Sequence, residues 1–385
     1  SALADASVNV ILITQASSEH TICLAVHPAD ASRAKEALDL EFELEISRQR
    51  IGEVSIEQSV SIVSVVGDNM RKTPGISGRT FHALGNNGVN VIAIAQGSSE
   101  RNISTVIVSG DETKALNALH EEFFFPETKS INVFLVGTGL IGSSLLKQIE
   151  THAADLQSRH AHEVRIIGIS NSSRFLVSRD GLTLNELKDR LISEGTAGNI
   201  NDFVREMKAL NISNSVFVDC TGSVDVCALF PDVLGGSVSI VTPNKKAQSA
   251  SLADWNQLMD ISKPRGVEFL FETSVGAGLP VISTLNDLLK SGDTVLKIEA
   301  VLSGTLSYIF NSFGPGKTFS DIVTVARDAG FTEPDPRDDL NGLDVARKIL
   351  ILSRIIGCEL EMEEVLVENL VPEDCRATES IDEFM

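Results

Sequence analysis

Charged side chains are concentrated in one stretch of the sequence, residues 326–348. The stretch ends in an apolar run that predicts a buried helix from near Asn341 to Ile356. Asp344 and Lys348 lie four residues apart, which places both on one face of that helix. Because buried ions need partners or lose their charge, such a pair can act in acid–base chemistry at a cleft. A purely structural ion-pair network is the alternative.

Three glycines form a second chemical pattern. Gly137, Gly139 and Gly142 have GxGxxG spacing, between an apolar run of strand length at 131–136 and a helical pattern that extends to Gln157. Glycines permit a tight turn, close approach of the backbone to a pyrophosphate and close helix packing, and the helix N-terminus favours phosphate charge. The motif predicts a dinucleotide site, with a plain strand-to-helix turn as the alternative. The residues predicted to bind the cofactor are Gly137, Thr138, Gly139, Leu140, Ile141 and Gly142.

The residues after the next apolar strand, 164–169, indicate which dinucleotide binds. A strict NAD site usually places Asp or Glu there for the ribose hydroxyls. This sequence has Asn171 and Arg174 and no carboxylate in residues 170–174, so a 2′-phosphate would meet a cation. We therefore predict NADP(H) in preference to NAD(H), with Asn171 and Arg174 as contacts. A solvated loop charge is the alternative for Arg174.

Two further apolar strands, 216–222 and 238–244, end in polar residues. Thr221 and Lys245 stand at their carboxyl ends, where an open α/β sheet binds ligands, and we expect both at the cofactor. Lys245 could hold the nicotinamide side of the site or a substrate carboxylate, whereas simple solvation is the alternative for the neighbouring pair Lys245 and Lys246. Cys220 lies in an apolar run with no nearby His, which favours a buried thiol over a nucleophile.

Length and composition limit the folds that can carry these residues. The chain has 385 residues, and at roughly 150 residues per domain it should form two or three domains. A formal charge of -21 would repel a phosphate backbone, so we expect no nucleic acid partner. The 5 cysteines have no regular spacing, which favours reduced thiols in the cytoplasm. No segment has the pattern of a membrane span or a signal peptide, so we expect no membrane partner.

An internal repeat occupies the first third of the chain. The residues from Ile13 to Ile22 recur, largely unchanged, from Ile94 to Ile103. Each copy predicts a β-hairpin followed by a short helix with an Asp at its N-cap. In the second copy a preceding strand at 60–66 and a helix after it complete a βαββαβ unit. The first copy lacks that opening strand and helix.

The repeat resembles the paired ACT domains of aspartate kinases, ferredoxin-like modules that bind free amino acids. The resemblance is carried by residues 62–71, 75–77 and 90–99. In threonine-regulated bifunctional members the repeat glutamines contact the effector, so the resemblance implies that Gln15 and Gln96 bind an amino acid, with threonine as the expected one. A Gln amide offers a donor and an acceptor to a zwitterion, and closure of a turn is the alternative role.

The chain from Ile131 onward resembles homoserine dehydrogenase. Besides the glycine motif, the resemblance is carried by residues 242–247, 271–280, 302–310 and 332–348. It implies reversible, NADP(H)-dependent interconversion of L-homoserine and L-aspartate 4-semialdehyde. Together with the ACT pair, the chain resembles the regulatory and dehydrogenase part of a bifunctional aspartate kinase/homoserine dehydrogenase, without the kinase domain and the C-terminal end of that family.

The resemblance also implies roles for individual residues. Lys348 and Lys245 serve the proton transfer that accompanies hydride movement, and Gly330 joins the cofactor site. Acidic groups suit the ammonium of homoserine, and a lysine near its alcohol can take the proton as hydride leaves. The implied substrate-binding residues are Glu333, Asp339 and Asp344. A monovalent cation, sodium or potassium, is implied at Glu272, Val275, Ala277 and Leu279.

These observations predict an α/β protein with a Rossmann-type parallel sheet and an α+β substrate domain, preceded by two ferredoxin-like ACT modules. The predicted boundaries are 1–128 for the ACT pair, 130–267 for the dinucleotide domain and 268–385 for the substrate domain. We expect a cytoplasmic homoserine dehydrogenase of threonine and methionine biosynthesis, forming dimers or tetramers. Two alternatives remain: an amino-acid sensor whose dehydrogenase half is inactive, and a semialdehyde dehydrogenase that uses a reactive cysteine.

Overall fold

The computed structural model describes residues 2–15, 21–68, 70, 73–97, 101–124, 129–332, 335–376, 378 and 380–385. The chain divides into two compact units. The first comprises residues 1–132, 152–165 and 208–215, and the second comprises residues 133–151, 166–207 and 216–385. None of the described helices has both the length and the apolar character that a bilayer crossing requires.

The first unit contains the duplicated part of the sequence. Its elements are α1 (Ala2–Asp5), β1 (Val10–Gln15), β2 (Ile22–Val26), α2 (Ala31–Glu41), α3 (Glu43–Ser47), β3 (Val60–Val66), α4 (Ile76–Asn86), β4 (Val91–Gln96), β5 (Asn102–Val108) and α5 (Glu112–Phe124). Strands β1 and β2 form an antiparallel hairpin, and a three-stranded sheet has the order β3-β5-β4. In the described residues the second copy is therefore βαββα, one strand short of the predicted βαββαβ, because the next strand of the chain joins another sheet.

The two copies share the geometry of their hairpins as well as their sequence. The glutamine that ends the first strand pairs with an isoleucine in the first two residues of the second strand. The register shifts once, at the same position in both hairpins. The equivalent pairs are Gln15 with Ile22 and Gln96 with Ile103, and the equivalent shifts lie between Val10 and Leu12 and between Val91 and Ala93. A bulge at one position is a specific feature of a strand pair, so the two copies share their backbone structure as well as their sequence.

The second copy has its own apolar core. Helices α4 and α5 place their apolar faces, with residues at helical spacing, against β3 and β5. Leu84, Ile107 and Ala115 are fully buried in this cluster.

A seven-stranded sheet follows the duplicated part. The elements are β6 (Lys129–Val136), α6 (Leu140–His160), β7 (His162–Ser170), β8 (Arg174–Val177), α7 (Leu187–Glu194), β9 (Thr196–Ala197), α8 (Ile200–Leu210), β10 (Ser215–Asp219), α9 (Val224–Cys227), α10 (Phe230–Gly235), β11 (Ser239–Val241), α11 (Leu252–Arg265) and β12 (Phe269–Leu270). The strand order is β12-β11-β10-β6-β7-β8-β9. Strands β10, β11 and β12 pair in parallel, whereas β8 pairs antiparallel to β7 and β9. After β6 the chain first adds strands on one side, β7 to β9, and then on the other side of β6, β10 to β12. This reversal of strand order creates the switch point at which such sheets bind ligands.

Aromatic side chains fill the core around this sheet. Phe134 and Phe203 are fully buried, with ring centroids 6.1 Å apart. A Cβ at Gly168 would lie 2.9 Å from both rings, so a glycine is required at this position of β7.

The last part of the chain is mostly helical. Its helices are α12 (Val281–Lys290), α13 (Gly304–Ser312), α14 (Phe319–Asp328), α15 (Pro336–Leu340), α16 (Leu343–Ile355), α17 (Glu373–Arg376) and α18 (Ile381–Phe384). The helix predicted from Asn341 to Ile356 is α16, which begins later because Gly342 has a left-handed φ of 76°. The fully buried Leu350 and Ile351 anchor it.

Candidate active site

Asp344 lies between two lysines. Lys348 Nζ is 2.6 Å from Asp344 Oδ2, and Lys245 Nζ is 3.1 Å from Asp344 Oδ1. Lys348 Nζ also donates to the backbone oxygen of Leu302 at 2.6 Å. The structure therefore brings together two distant sequence segments that were predicted to share the chemistry.

Helix α16 positions two of these three groups. Asp344 and Lys348 occupy its first two turns on one side, while the buried Ala346, Leu350 and Ile351 fix its apolar side in the core. The side chain of Lys348 is 16% exposed and that of Lys245 is 30% exposed, so both amines lie at the margin between protein and solvent. A bound substrate can reach both of them without unfolding the helix.

The two lysines control the charge of Asp344. Burial alone would raise the pKa of Asp344, but the hydrogen bond from Lys348 and the charges of Lys245 and Lys348 hold that pKa below its ordinary value. Asp344 is therefore a carboxylate at neutral pH. The arrangement places an anion, which can receive an ammonium group, beside amines that can exchange a proton with an alcohol.

The glycine motif has the geometry that a dinucleotide requires. Gly137 has φ of 93°, and a Cβ there would lie 2.8 Å from the backbone oxygen of Cys220. A Cβ at Gly142 would lie 1.8 Å from the backbone oxygen of Gly137, whereas a Cβ at Gly139 would have nothing within 4 Å. The first glycine thus forms the tight turn, the third packs α6 on the strand, and the second leaves space for a phosphate.

The other residues of the motif line the same end of α6. Leu140 and Ile141 begin the helix and are 86% and 54% exposed, and Ser143 donates to the backbone oxygen of Thr138. Large apolar side chains that are exposed beside the motif are available to cover a ligand. The cradle fits a dinucleotide, which would be held by residues 137–142.

Asn171 and Arg174 stand at the turn between β7 and β8. The side-chain oxygen of Asn171 accepts from the amides of Ser173 at 2.9 Å and Arg174 at 2.8 Å, so Asn171 shapes the turn. Arg174 Nη1 donates to the backbone oxygen of Gly195 at 2.7 Å. The guanidinium has further donors with which it can bind a phosphate.

Thr221 and Cys220 follow β10, beside the Gly137 turn. A Cβ at Gly137 would lie 2.8 Å from the methyl carbon of Thr221, which shows how closely the two loops pack. Burial, together with the charge of Asp219, raises the pKa of the Cys220 thiol to about 11. A thiol that stays protonated is a poor nucleophile, which argues against the thioester alternative.

Two further predicted residues, one for the substrate and one for the cofactor, lie on separate elements. Asp339 is half-buried on α15, and Gly330 has φ of 74° in the turn that ends α14. Glu333 lies outside the described residues. The structure thus gives positions for Asp339 and Gly330.

Glu272 has a structural role. Its carboxylate accepts from the backbone amides of Ile282 at 2.9 Å and Ser283 at 2.8 Å, and so caps the start of α12. In the same loop Ala277 has a left-handed φ of 51°, and the backbone oxygen of Leu279 accepts from Val281 at 2.9 Å. Val275 is fully buried. The loop supplies oxygen ligands of the type that hard cations prefer, and two of them already accept hydrogen bonds.

The predicted effector residues lie in the first unit. Gln15 ends β1 and Gln96 ends β4, both are exposed, and the two strands approach each other. Residues 16–20, directly after Gln15, and residues 98–100, directly after Gly97, lie outside the described part of the chain.

Sequence reasoning missed one buried carboxylate. Asp219 is 0% exposed at the end of β10 and accepts hydrogen bonds from Thr221, Thr242 and Asn244. The available signal was an acid within the apolar run 216–222, because an ionised group in a buried strand needs several partners.

An open α/β sheet with a glycine cradle at its switch point defines a dinucleotide-binding protein. Three family models match the chain: an ACT domain at residues 1–42 and 63–123, the NAD binding domain of homoserine dehydrogenase at 137–272, and homoserine dehydrogenase at 280–383. The homoserine dehydrogenase of Schizosaccharomyces pombe is 41% identical over 264 residues, which cover 66% of this chain and 70% of that protein. The chain belongs to the homoserine dehydrogenase family, and the predicted fold class is confirmed.

Longer relatives match over the whole chain. A chloroplastic bifunctional aspartokinase/homoserine dehydrogenase of Arabidopsis thaliana is 42% identical over 386 residues, 100% of this chain and 42% of the relative. The Haemophilus influenzae bifunctional enzyme is 41% identical and also matches 100% of the chain, which covers 47% of it. The chain thus spans less than half the length of these relatives.

Among the similar solved structures are complexes with a dinucleotide. A hyperthermophilic archaeal homoserine dehydrogenase in complex with NADPH is 26% identical, with a TM-score of 0.51, over 59% of this chain and 70% of that one.

Proposed function

We propose that this chain interconverts L-homoserine and L-aspartate 4-semialdehyde with NADP(H). The observation that carries the proposal is the group of Lys245, Asp344 and Lys348, in a chain of the homoserine dehydrogenase family that also has a dinucleotide cradle. The three charged side chains match the three functional groups of the substrate, which are its ammonium, its carboxylate and its terminal alcohol. Asp344, with Asp339 and Glu333, receives the ammonium, and Lys245 receives negative charge or assists the proton transfer.

Lys348 moves the proton. In the direction of aldehyde reduction its ammonium donates a proton to the carbonyl oxygen as that oxygen gains charge, and in the reverse direction the neutral amine accepts the alcohol proton. The bound dinucleotide supplies or accepts the hydride. Asp344 holds the Lys348 amine in place through their 2.6 Å contact.

The preference for NADP(H) rests on Arg174. The archaeal relative with NADPH supports the cofactor class, and the 170–174 turn of this chain has no carboxylate to repel a 2′-phosphate. We expect Arg174→Ala to lower the ratio of kcat/KM for NADP over NAD.

The ACT pair is proposed to bind an amino acid, with threonine as the effector, and Gln15 and Gln96 as contacts. The same family resemblance supports four further proposals. These are a monovalent cation at the 272–279 loop, a dimeric or tetrameric assembly, the domain boundaries 1–128, 130–267 and 268–385, and a cytoplasmic location. The described cysteines are free thiols, which suits a reducing compartment.

The decisive test is a steady-state assay with homoserine and NADP. Lys348→Ala is expected to lower turnover about 100-fold or more, because general acid–base catalysis contributes that much, while NADPH binding measured by fluorescence stays within about twofold. The matched control Lys317→Ala removes an exposed lysine of the same region and should leave turnover unchanged. Equal turnover in Lys348→Ala and the parent would reject the role of Lys348, and absence of turnover in the parent would favour the amino-acid sensor.

A further inference from the structure

We propose that Asp219 is the positioning residue of this site, which fixes Lys245 and the cofactor loop at the same time. The inference rests on the proposed function and deepens it. Asp219 lies at the end of β10, and its side chain joins the loop after β10, which carries Thr221, to the loop after β11, which carries Lys245.

Each carboxylate oxygen of Asp219 serves one loop. Oδ1 accepts from Thr221 N at 2.8 Å and from Thr221 Oγ1 at 2.7 Å. Oδ2 accepts from Thr242 Oγ1 at 3.2 Å and from Asn244 Nδ2 at 3.2 Å. Four donors around a 0% exposed carboxylate satisfy an ion that water cannot reach.

The hydrogen bonds continue into both loops. Each threonine hydroxyl uses its one O–H in a hydrogen bond to Asp219, so its oxygen is free to accept from a backbone amide. Ser223 N donates to Thr221 Oγ1 at 3.1 Å, and Asn244 N donates to Thr242 Oγ1 at 2.9 Å. Asn244 Nδ2 closes the network with a bond to the backbone oxygen of Ser223 at 3.0 Å. The two loops are thus tied to each other as well as to Asp219.

Lys245 is held on both sides by this network. The backbone amide of Asn244, the residue before Lys245, donates to Thr242 Oγ1. The backbone amide of Lys246, the residue after it, donates to Asn244 Oδ1 at 3.1 Å. The backbone oxygen of Lys245 accepts from Ser249. With its main chain fixed, the Lys245 amine can remain 3.1 Å from Asp344.

The same network sets the shape of the cofactor cradle. Thr221, held at two atoms by Asp219, packs its methyl group where a Cβ at Gly137 would lie. The Thr221 hydroxyl already donates its hydrogen bond to Asp219, so the residue meets the cofactor through its backbone and methyl group. A displacement of Thr221 would therefore alter the turn that receives the pyrophosphate.

Only a carboxylate fits this position. Each oxygen of Asp219 faces a nitrogen donor, the Thr221 backbone amide on one side and Asn244 Nδ2 on the other. The Asn244 amide is held in this orientation because its Oδ1 accepts from Lys246 N and its Nδ2 also donates to the backbone oxygen of Ser223. An Asn at position 219 would turn its own NH2 toward one of these donors in either orientation. Asp219→Asn keeps the volume and must break one half of the network.

The test measures NADPH affinity and homoserine turnover in Asp219→Asn. We expect both to fall about tenfold or more, because a hydrogen bond to a charged group is lost and a donor faces a donor. Asp225→Asn, which alters an exposed carboxylate in the same loop region, is the matched control and should change neither. Parental values of both quantities in a folded Asp219→Asn protein would overturn the proposal.

A double-mutant cycle separates positioning from general support of the fold. If Asp219 acts on turnover through Lys245, Asp219→Asn costs much less in a Lys245→Ala background than in the parent. An equal loss in both backgrounds would show that Asp219 does not act through Lys245. Where Asp219→Asn fails to fold, Thr242→Val removes one donor on the Lys245 side, and it should lower kcat with NADPH affinity within about twofold; an unchanged kcat would then overturn the proposal.

NADPH titration keeps this proposal distinct from the proposed function. Absence of homoserine turnover in the parent counts against the function alone. In that case a tenfold weaker NADPH affinity in Asp219→Asn supports the cofactor half of the Asp219 role, and an equal affinity rejects it.

Discussion

Asp344 shows how a single residue links stability to chemistry. Its carboxylate contacts both lysines, and its pKa lies below the ordinary value of 3.8, since the two cations outweigh the effect of burial. A group with a depressed folded-state pKa stabilises the fold above its unfolded pKa, and this contribution is lost as pH falls through the folded value. The charge that prepares the site for a substrate ammonium therefore also stabilises the native state at neutral pH.

Asp344→Asn tests this linkage. At pH 7 the variant should unfold more easily by about 1 kcal/mol or less, because the Asp344 side chain is 39% exposed and solvent screens the pair. The difference should shrink as pH falls below the ordinary pKa of 3.8, because protonation of the unfolded chain then progressively removes the contribution of the charge. Urea unfolding at a series of pH values measures it, with the exposed Asp338→Asn as control. A difference that stays constant down to pH 3 would contradict the assignment.

At the scale of elements, two glycines of the turn between β6 and α6, Gly139 and Gly142, have different roles. Gly142→Ala would place a methyl group 1.8 Å from the backbone oxygen of Gly137, which the helix and strand can relieve only by moving apart. Gly139→Ala meets nothing within 4 Å, and its φ is not left-handed. We therefore expect the methyl group at position 139 to affect phosphate binding and not the packing of the protein.

This difference predicts two phenotypes. Gly142→Ala should lose about 1–3 kcal/mol of stability, the usual cost of overpacking, and also NADPH affinity. Gly139→Ala should melt within a degree or two of the parent but bind NADPH about tenfold more weakly or worse, because the close approach of the backbone is blocked. Thermal melting and NADPH titration on both variants check it. Parental NADPH affinity in Gly139→Ala would show that the cradle does not receive the pyrophosphate.

The loop before α12 is a second element with a measurable role. Glu272→Ala removes two charge-assisted bonds to the first turn of the helix and should cost about 1–2 kcal/mol, whereas Glu272→Gln retains an acceptor and should cost less. Because the cap itself needs no cation, this loss should be present in choline chloride, where the loop has no sodium or potassium to bind. A further loss in sodium or potassium chloride is expected if the carboxylate also holds the proposed cation, and no loss in choline chloride would contradict the cap.

Across the whole molecule, sequence patterns predicted most of what lies on regular elements. The glycine spacing predicted the turn after β6, and the four-residue spacing of Asp344 and Lys348 predicted their shared helix face. The contact of Lys245 with Asp344 could not be predicted from the residues alone, because it depends on how distant elements pack. Asp219 was missed for the same reason: its four donors come from two loops whose proximity is a property of the sheet.

The repeat gives a last prediction at this scale. Because Gln15 and Gln96 end equivalent strands with equivalent pairing, each should contribute equally to threonine binding. Threonine should raise the melting temperature of the parent, since a ligand that binds only the native state stabilises it. Gln15→Ala and Gln96→Ala should each reduce that shift to a similar extent, and the double variant should lose it while keeping the shift produced by NADPH. A threonine shift that survives in the double variant would place the effector elsewhere, and unequal single effects would show that the duplicated hairpins have diverged in function although their registers remain the same.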